Sequence, residues 1–519
     1  MHSQTKNPDV IKLGVAIQNQ IESNGSTAIK SEVVLDDAII SDDGTSGYIV
    51  QKDGQAGFRR FYNQEQRIKT DFINAQTLIL DKEAVKIAIQ KVMVLLDLSH
   101  PNSIDLQWQA CLSCLQQSRF ILTGGPGTGK TTTVVRMMLL YLLLNKNKNI
   151  ALAAPTGKAA NQMMHSINQQ LNDSELPDDI QQNTSLKAQT IHRLLGYNNQ
   201  TNKLKYNKDN LLPYDLVIID ESSMLDVSLT NALLQSLKPQ AQLILIGDKN
   251  QLPAVDAGNV FADLCRLFTK DSNNDLSPNL LDAYINDQTD EITSNCYIEL
   301  QHNYRFSEDS IIAQLCSAVS KQDSHNVLDL KQQNLLSWTD PKQKSDKKKI
   351  LENWYADIED DETAILLSAV NHGNNSVFEL NDLAREILYK NNIYYNGMPI
   401  MMTHNDYTIG VFNGDIGYMY MQGNQWFVNF MIEGENKRIQ LSALNDWQQA
   451  NAITIHKSQG SEYDHVLIAI PDNDDLKLLT NALLYTAISR ARKTITLWGS
   501  DDIIEKIIKT SENRITFLK

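Results

Sequence analysis

The residues Gly124-Gly125-Pro126-Gly127-Thr128-Gly129-Lys130-Thr131 satisfy the pattern GxxxxGK[ST] and could hold a chain of phosphates. Glycines let backbone N–H groups turn inward onto phosphate oxygens, Lys130 would reach the outer phosphates, and the Thr131 hydroxyl could ligate Mg²⁺. The run follows the apolar Phe120-Ile121-Leu122-Thr123 and precedes a helical stretch expected from Thr132 to Asn145, which is the context such a loop needs. A triphosphate site of this kind also needs an acid at the end of a neighbouring strand and an activator of water. Asp220-Glu221 follows Leu216-Val217-Ile218-Ile219, so Asp220 would hold Mg²⁺ through water and Glu221 would polarise the attacking water. Gln251, in Ile246-Gly247-Asp248-Lys249-Asn250-Gln251-Leu252-Pro253, carries an amide able both to donate to and to accept from a terminal phosphate. Cys111-Leu112-Ser113-Cys114 has no second CxxC, and Cys265, Cys296 and Cys316 are scattered. The pair therefore reads as helix core and not as half of a zinc site.

These groups work together only on a sheet whose strands end side by side. From Arg119 to about Leu267, short apolar runs (Phe120–Thr123, Ile150–Ala154, Leu216–Asp220, Leu243–Gly247) alternate with helical stretches, which predicts a doubly wound parallel α/β sheet in a domain spanning 106–295. Residues 270 to 295 are rich in Asp, Asn, Ser and Thr and read as a loop or boundary. A second α/β domain, 296–519, is expected from Ala364–Ser368, His465–Ile470 and Thr494–Trp498, with a new unit beginning near Glu299. Between about 393 and 450 the rhythm changes to short alternating segments with Gly and Asn turns, the pattern of a small antiparallel β insertion. Residues 1–105 show helical periodicity, as in Glu83–Val92, and are expected to form a mainly helical accessory or docking domain. The basic run Lys342 to Lys349 and the acids from Asp357 to Glu362 read as a solvated surface stretch.

The chain of 519 residues, with 42% hydrophobic and 21% charged residues and a mean hydropathy of -0.33, is that of a compact globular protein of three or so domains. Its start carries no apolar stretch, and the greasiest run, Met137 to Leu144, is too short to span a bilayer, so a cytoplasmic protein with reduced thiols is expected. With 47 Lys and Arg against 62 Asp and Glu, the net charge of -15 excludes coating of nucleic acid by bulk electrostatics. A nucleic acid would have to be held in a local groove, and protein partners could supply part of the positive field.

Taken in order, several strings resemble superfamily 1 helicases across Gln107 to Gly499. They are the phosphate loop, Ala154-Pro155-Thr156-Gly157-Lys158-Ala159-Ala160, Asp220-Glu221-Ser222-Ser223-Met224, Gly247–Pro253, Asn303-Tyr304-Arg305, His456-Lys457-Ser458-Gln459-Gly460-Ser461-Glu462 and Tyr485–Arg492. Thr190–Gly196, Leu300–Phe306, Phe412–Gly417 and His456–Asp464 resemble more narrowly the alpha (RecD) subunits of exodeoxyribonuclease V, the RecBCD complex.

The resemblance implies two RecA-like domains with ATP and Mg²⁺ between them, a β-barrel (SH3-like) insertion in the second, and 5′-to-3′ translocation on single-stranded DNA. It places Gln109 against the adenine and Arg305 and Arg490 across the cleft on the γ-phosphate. Thr132, Gly460 and Glu462 would also stand with the nucleotide. Pro155, Thr156, Lys158, Thr190, His192, Asn413, Thr454, His456, Lys457 and Ser458 would lie along the DNA, where hydroxyls and backbone N–H groups grip phosphates without reading bases. Thr156 also reads as a plain helix cap, and His192 and His456 as structural histidines. No separate cluster of acids with a lysine suggests a nuclease, so that activity is expected in the beta and gamma partner subunits of a heterotrimer. A free-standing DNA or RNA helicase is the alternative within the motor class, and a nucleotide-gated scaffold the alternative outside it.

Overall fold

The computed structural model of the chain describes residues 7–31, 35, 40–98, 105–145, 148–172, 187–198, 200–271, 281, 284, 295–307, 310–359, 361–389, 392–406, 408–432, 435–472 and 477–518. Two parallel sheets dominate it. The first runs in the order Tyr297–Leu300, Arg119–Gly124, Gln242–Gly247, Leu216–Ile219, Ile150–Ala154, Ala188–Thr190. Its four central strands are buried along their whole length, because helices cover both faces and leave no polar side to the pleat. Pairing of Gly247 with Thr123 and of Ile219 with Ala153 brings the residues that follow each strand to one edge. That edge, at the carboxyl ends of the strands, is where open α/β sheets bind ligands.

The second sheet runs Ser337–Thr339, Ala491–Trp498, Tyr463–Ala469, Ala364–Ser368, Ala452–Thr454, all parallel. The expected β insertion is present as a five-stranded antiparallel sheet, Pro399–Met402, Ile416–Gln422, Gln425–Ile432, Glu435–Gln440 and Trp447–Gln449, with a core of its own around Ile400, Met419, Val428 and Phe430. Cys111 and Cys114 are buried within the helix Leu106–Gln116, as expected of core residues, and burial pushes the Cys111 thiol up to about 12. Among the described residues, no helix is long and apolar enough to cross a membrane.

Four sequence expectations need correction. Tyr297–Leu300, placed with the second domain, is the edge strand of the first sheet, paired to Arg119–Gly124; four mixed residues do not say which sheet will take them. The second lobe therefore begins after Leu300, and the 270–295 stretch lies largely outside the described residues. The basic run is not simply solvated. Lys347 is 1% exposed and bonds Glu379 Oε1 at 2.8 Å and Asn374 Oδ1 at 2.5 Å, since a lysine can be buried when its ammonium is paired. The N-terminal region adds to its helices (Pro8–Asn24, Arg59–Ile73, Lys82–Leu95) a four-stranded sheet built from strands of two to four residues, too short to register as alternation. Nor is it separate: Phe61, Ile68 and Phe72 share one core with Val217, Leu243 and Leu245 of the first sheet.

The end of the chain also leaves the second lobe. After the helix Asp501–Lys509, Arg514 donates to Asp256 O and Gly258 O, Ile515 O accepts from Thr27 N and Ala28 N, and Leu518 enters the first lobe's core. Beneath this strap lies Glu65, fully buried, accepting from Thr27 Oγ1 at 2.7 Å and Phe517 N at 2.9 Å. Burial pushes its carboxyl up to about 8, so the fold keeps the proton that an unfolded chain releases near 4.5. Stability should accordingly fall as pH rises between those values, by about 3 kcal/mol at pH 7 relative to a group with no shift. Glu65→Gln keeps both partners without a charge, its Nε2 donating to Thr27 Oγ1 and its Oε1 accepting from Phe517 N. Thermal melting at pH 5.5 and pH 8 should show the wild type losing stability across the interval and the variant holding it.

Candidate active site

The phosphate loop links the strand Arg119–Gly124 to the helix Lys130–Leu144. Gly127 (φ 76°) and Gly129 (φ 80°) adopt left-handed backbone, and both are crowded. A Cβ on Gly127 would stand 2.5 Å from Arg305 Cβ, and one on Gly129 2.2 Å from Gln107 Nε2. Thr128 Oγ1 donates to Gly125 O at 2.9 Å, which closes the loop, and Lys130 Nζ donates to Gly124 O and Gly125 O at 2.8 and 2.9 Å. Gln107 Nε2 reaches Thr128 O at 3.3 Å from the helix before the strand. Gln109, the expected adenine contact, is buried in that same helix and is not one of the residues lining the cleft.

Three acids follow adjacent strands of the first sheet. Asp220 Oδ1 accepts the Glu221 N–H at 2.8 Å, and Glu221 itself is left-handed at φ 51°, a costly conformation for a side chain that kinks it into the cleft. Asp248 is 1% exposed and accepts from Asn250 N at 3.0 Å and from the Tyr485 hydroxyl at 2.9 Å. Burial raises all three carboxyls above their ordinary values; Asp220 raises Glu221 further, while Lys130 opposes the shift in each case and Arg490 opposes it at Glu221. Gln251 lines the cleft, and its Oε1 is buried without a partner.

The second lobe closes the other side. Asn303 Nδ2 donates to Pro126 O at 2.9 Å and Tyr304 N to Gly127 O at 2.8 Å, so the segment leading into this lobe is strapped onto the phosphate loop. Arg305 Nη2 meets Glu462 Oε1 at 2.5 Å, and Arg492 Nε meets the other oxygen at 3.1 Å. Arg490, 4% exposed, donates to Thr486 O, Ser489 Oγ and Ser461 O. Gly460 has φ 72°, and a Cβ on it would stand 3.4 Å from Ala159 Cβ of the first lobe.

The result is one cleft of about 450 Å³ lined by Pro126, Gly127, Thr128, Gly129, Lys130, Thr131 and Thr132, by Asp220, Glu221 and Gln251, and by Arg305, Gly460, Glu462 and Arg490. Apart from Gln109, Gly124 and Gly125, every residue expected at the nucleotide is there; Gly124 ends the buried strand, and Gly125 faces the adjoining cavity. Tyr304 and Arg492 also line the cleft, although no role for them was read from the sequence. Asp248 was missed as well, and its position directly after a buried strand, like that of Asp220, is the signal that would have found it.

The expected DNA contacts are spread over four segments, 155–158, 190–192, 413 and 454–458, and several are already engaged. Thr156 Oγ1 accepts from Ala159 N at 3.2 Å and Thr190 Oγ1 from Arg193 N at 3.2 Å, both as helix caps; Thr454 Oγ1 accepts from Lys457 N at 3.3 Å. Ser458 is fully buried with its hydroxyl donated to Ile455 O, which closes it to a polymer; a hydroxyl in a tight turn prefers the nearest carbonyl. Lys158 stands 6.0 Å from the Tyr463 ring, and burial lowers its ammonium to about 8. Beside Pro155 and Thr156, a Cβ on Gly157 would stand 3.4 Å from the Phe412 side chain of the insertion, whose ring carries Arg193 at 4.3 Å, and Asn413 is exposed next to it. His192 is exposed edge-on to Tyr197, whereas burial lowers the pKa of both His456 and Lys457.

Residues 107–257 match the AAA domain family, and residues 449–498 match the UvrD-like helicase C-terminal domain. The RecBCD enzyme subunit RecD of Mycolicibacterium smegmatis is 30% identical over 448 residues, covering 80% of this chain and 74% of that protein. This chain belongs to the RecD family. The RecD subunit of Haemophilus influenzae is 29% identical, over 87% of this chain and 77% of its own length. The ATP-dependent RecD2 DNA helicase of Deinococcus radiodurans is 28% identical over 73% of this chain, which is 47% of the longer RecD2 protein. In this RecD chain the two family matches fall on opposite walls of the cleft: the first holds Gln107, the phosphate loop and the acids, and the second holds Gly460, Glu462 and Arg490.

Proposed function

We propose that this RecD-family chain is an ATP-dependent DNA helicase, the alpha subunit of a cytoplasmic RecBCD-type complex with beta and gamma partners in double-strand break repair, and that it moves 5′ to 3′ along single-stranded DNA. One observation carries the reading: Lys130 and Glu221 from the first lobe and Arg490 from the second line a single cleft, so hydrolysis and lobe closure use the same residues. Lys130 and the loop N–H groups hold the phosphates, Glu221 takes the proton of the attacking water, and Arg305 and Arg490 meet charge that develops on the terminal phosphoryl group. Magnesium fits this donor set. The Thr131 hydroxyl and the Asp220 carboxylate line the same cleft and would hold the ion, which would neutralise phosphate charge.

Gln109 is assigned to the adenine through the helix that holds Gln107 against the loop. The strand path is assigned to Pro155 and Lys158, His192, Asn413, and the backbone around Thr454 and Lys457. The insertion is assigned as an SH3-like barrel. A nucleotide-gated scaffold would have no use for Glu221, Gln251, Arg305 and Arg490 set around one cleft, and this disfavours it.

The test is strand displacement by the chain with its co-purified partners, on duplexes with a 5′ or a 3′ single-stranded tail. To isolate this motor, the same complex carrying Lys130→Gln supplies the background. Unwinding that depends on Lys130 is expected from the 5′ tail alone. Lys130-dependent unwinding from the 3′ tail alone would reverse the assigned polarity, and none from either would remove the helicase reading.

A further inference from the structure

We infer that Tyr485 is a positioning residue for ATP hydrolysis: its phenol crosses between the lobes to Asp248 and, through Asp248, holds the Gln251 amide in one orientation beside the cleft. This rests on reading the cleft as the site of ATP hydrolysis. Tyr485 belongs to the helix Asn481–Ile488 of the second lobe and is 4% exposed, so its hydroxyl needs a partner where it lies. The hydroxyl donates to Asp248 Oδ2 at 2.9 Å, and Gln251 Nε2 approaches the same oxygen at 3.5 Å. On either side, Leu252 N donates to Thr486 Oγ1 at 2.9 Å and Gln459 Nε2 to Leu252 O at 3.2 Å, so the lobes meet here in one fixed register.

The consequence is chemical. Burial raises the Asp248 carboxyl above its ordinary value, and the Lys130 charge, the Asn250 N–H, the Tyr485 hydroxyl and the Gln251 amide oppose that shift. While Tyr485 donates, Asp248 is an acceptor, and Gln251 must turn Nε2 towards it. Oε1 is then left buried without a partner, and the amide is held in one orientation beside the cleft. When the second lobe withdraws, the phenol goes with it. Asp248 then loses that donor to water, and the Gln251 amide is no longer held in one orientation. Gln251 would thus report lobe closure without touching the second lobe's arginines.

Tyr485→Phe keeps the ring and deletes only the bond. DNA-stimulated kcat should fall about tenfold, the loss of one hydrogen bond to a charged group, with KM for ATP within twofold and the melting temperature lower by about 2–4 °C. Asp248→Asn should do the same, and the double variant should be no worse than either single one. If Tyr485→Phe fails to fold, Asp248→Asn carries the test alone, by the same split of kcat from KM. Wild-type kcat in Tyr485→Phe, losses that add in the double variant, or a matched rise in KM with a larger fall in melting temperature would each overturn the inference. Wild-type protein that hydrolyses no ATP would instead sink the reading of the cleft on which it rests.

Discussion

Glu221→Gln is expected to lower the turnover of ATP by about a thousand-fold, the range for removing a placed general base, while leaving nucleotide affinity within a few-fold. The substitution removes a charge and almost no volume. It leaves Lys130, Thr131, Asp220 and the loop N–H groups as they are, and these are the groups assigned to holding the phosphates. Glu221 occupies a left-handed backbone position directly after Asp220, so its side chain leaves the axis of the strand and enters the cleft. Burial and the neighbouring Asp220 hold its carboxyl above the usual range, with Arg490 and Lys130 opposing. A base is active in its charged form, so a raised value means that activity is lost as pH falls, starting from a higher pH than an ordinary glutamate would allow. The kcat/KM profile of the wild type should therefore show an acid limb displaced upward, and Glu221→Gln should flatten it. Single-turnover hydrolysis across pH measures both. Turnover within tenfold of wild type, or an unmoved acid limb in the variant, would remove Glu221 from the chemistry.

What could be read from the sequence was whatever is local in the chain. The phosphate loop announces itself because its glycines, its lysine and both flanking elements lie within one short stretch, and all-apolar strands such as Leu216–Ile219 announce burial on both faces. Helix caps at Thr156 and Thr190 are equally local, which is why the bland reading of Thr156 agrees with its bond to Ala159 N. What failed was non-local. Tyr297–Leu300 looks the same whichever sheet receives it, and the bonds of the strap to Thr27, Ala28 and Glu65 span hundreds of residues. Gln107 and Gln109 could not be told apart because the helix Leu106–Gln116 is buried nearly all round, leaving no amphipathic stripe to say which amide meets the loop. Lys347 reads as surface until the Glu379 carboxylate is placed beside it.

Arg490→Ala should cost at least as much as the loss of Glu221, about 10³-fold in DNA-stimulated turnover, and should abolish unwinding. Arg490 sits on the second lobe while the groups assigned to the phosphates belong to the first, so on that assignment its charge would reach the terminal phosphoryl group only when the cleft is shut. The guanidinium has five N–H donors, and in this structure they meet three acceptors, Thr486 O, Ser489 Oγ and Ser461 O. Those bonds fix the fork and leave donors for phosphate oxygens. Arg490→Lys should recover little, because an ammonium cannot hold those three partners and still present a planar pair of N–H groups. Arg305 should matter less: its side chain is 28% exposed and already paired with Glu462, so Arg305→Ala loses a charge that solvent partly screens. The comparison is decisive when made at saturating ATP and DNA with melting temperatures in parallel. An Arg490→Ala variant that melts like the wild type yet hydrolyses within tenfold of it would break the link between lobe closure and chemistry. Greater damage from Arg305→Ala would shift that link to the exposed arginine.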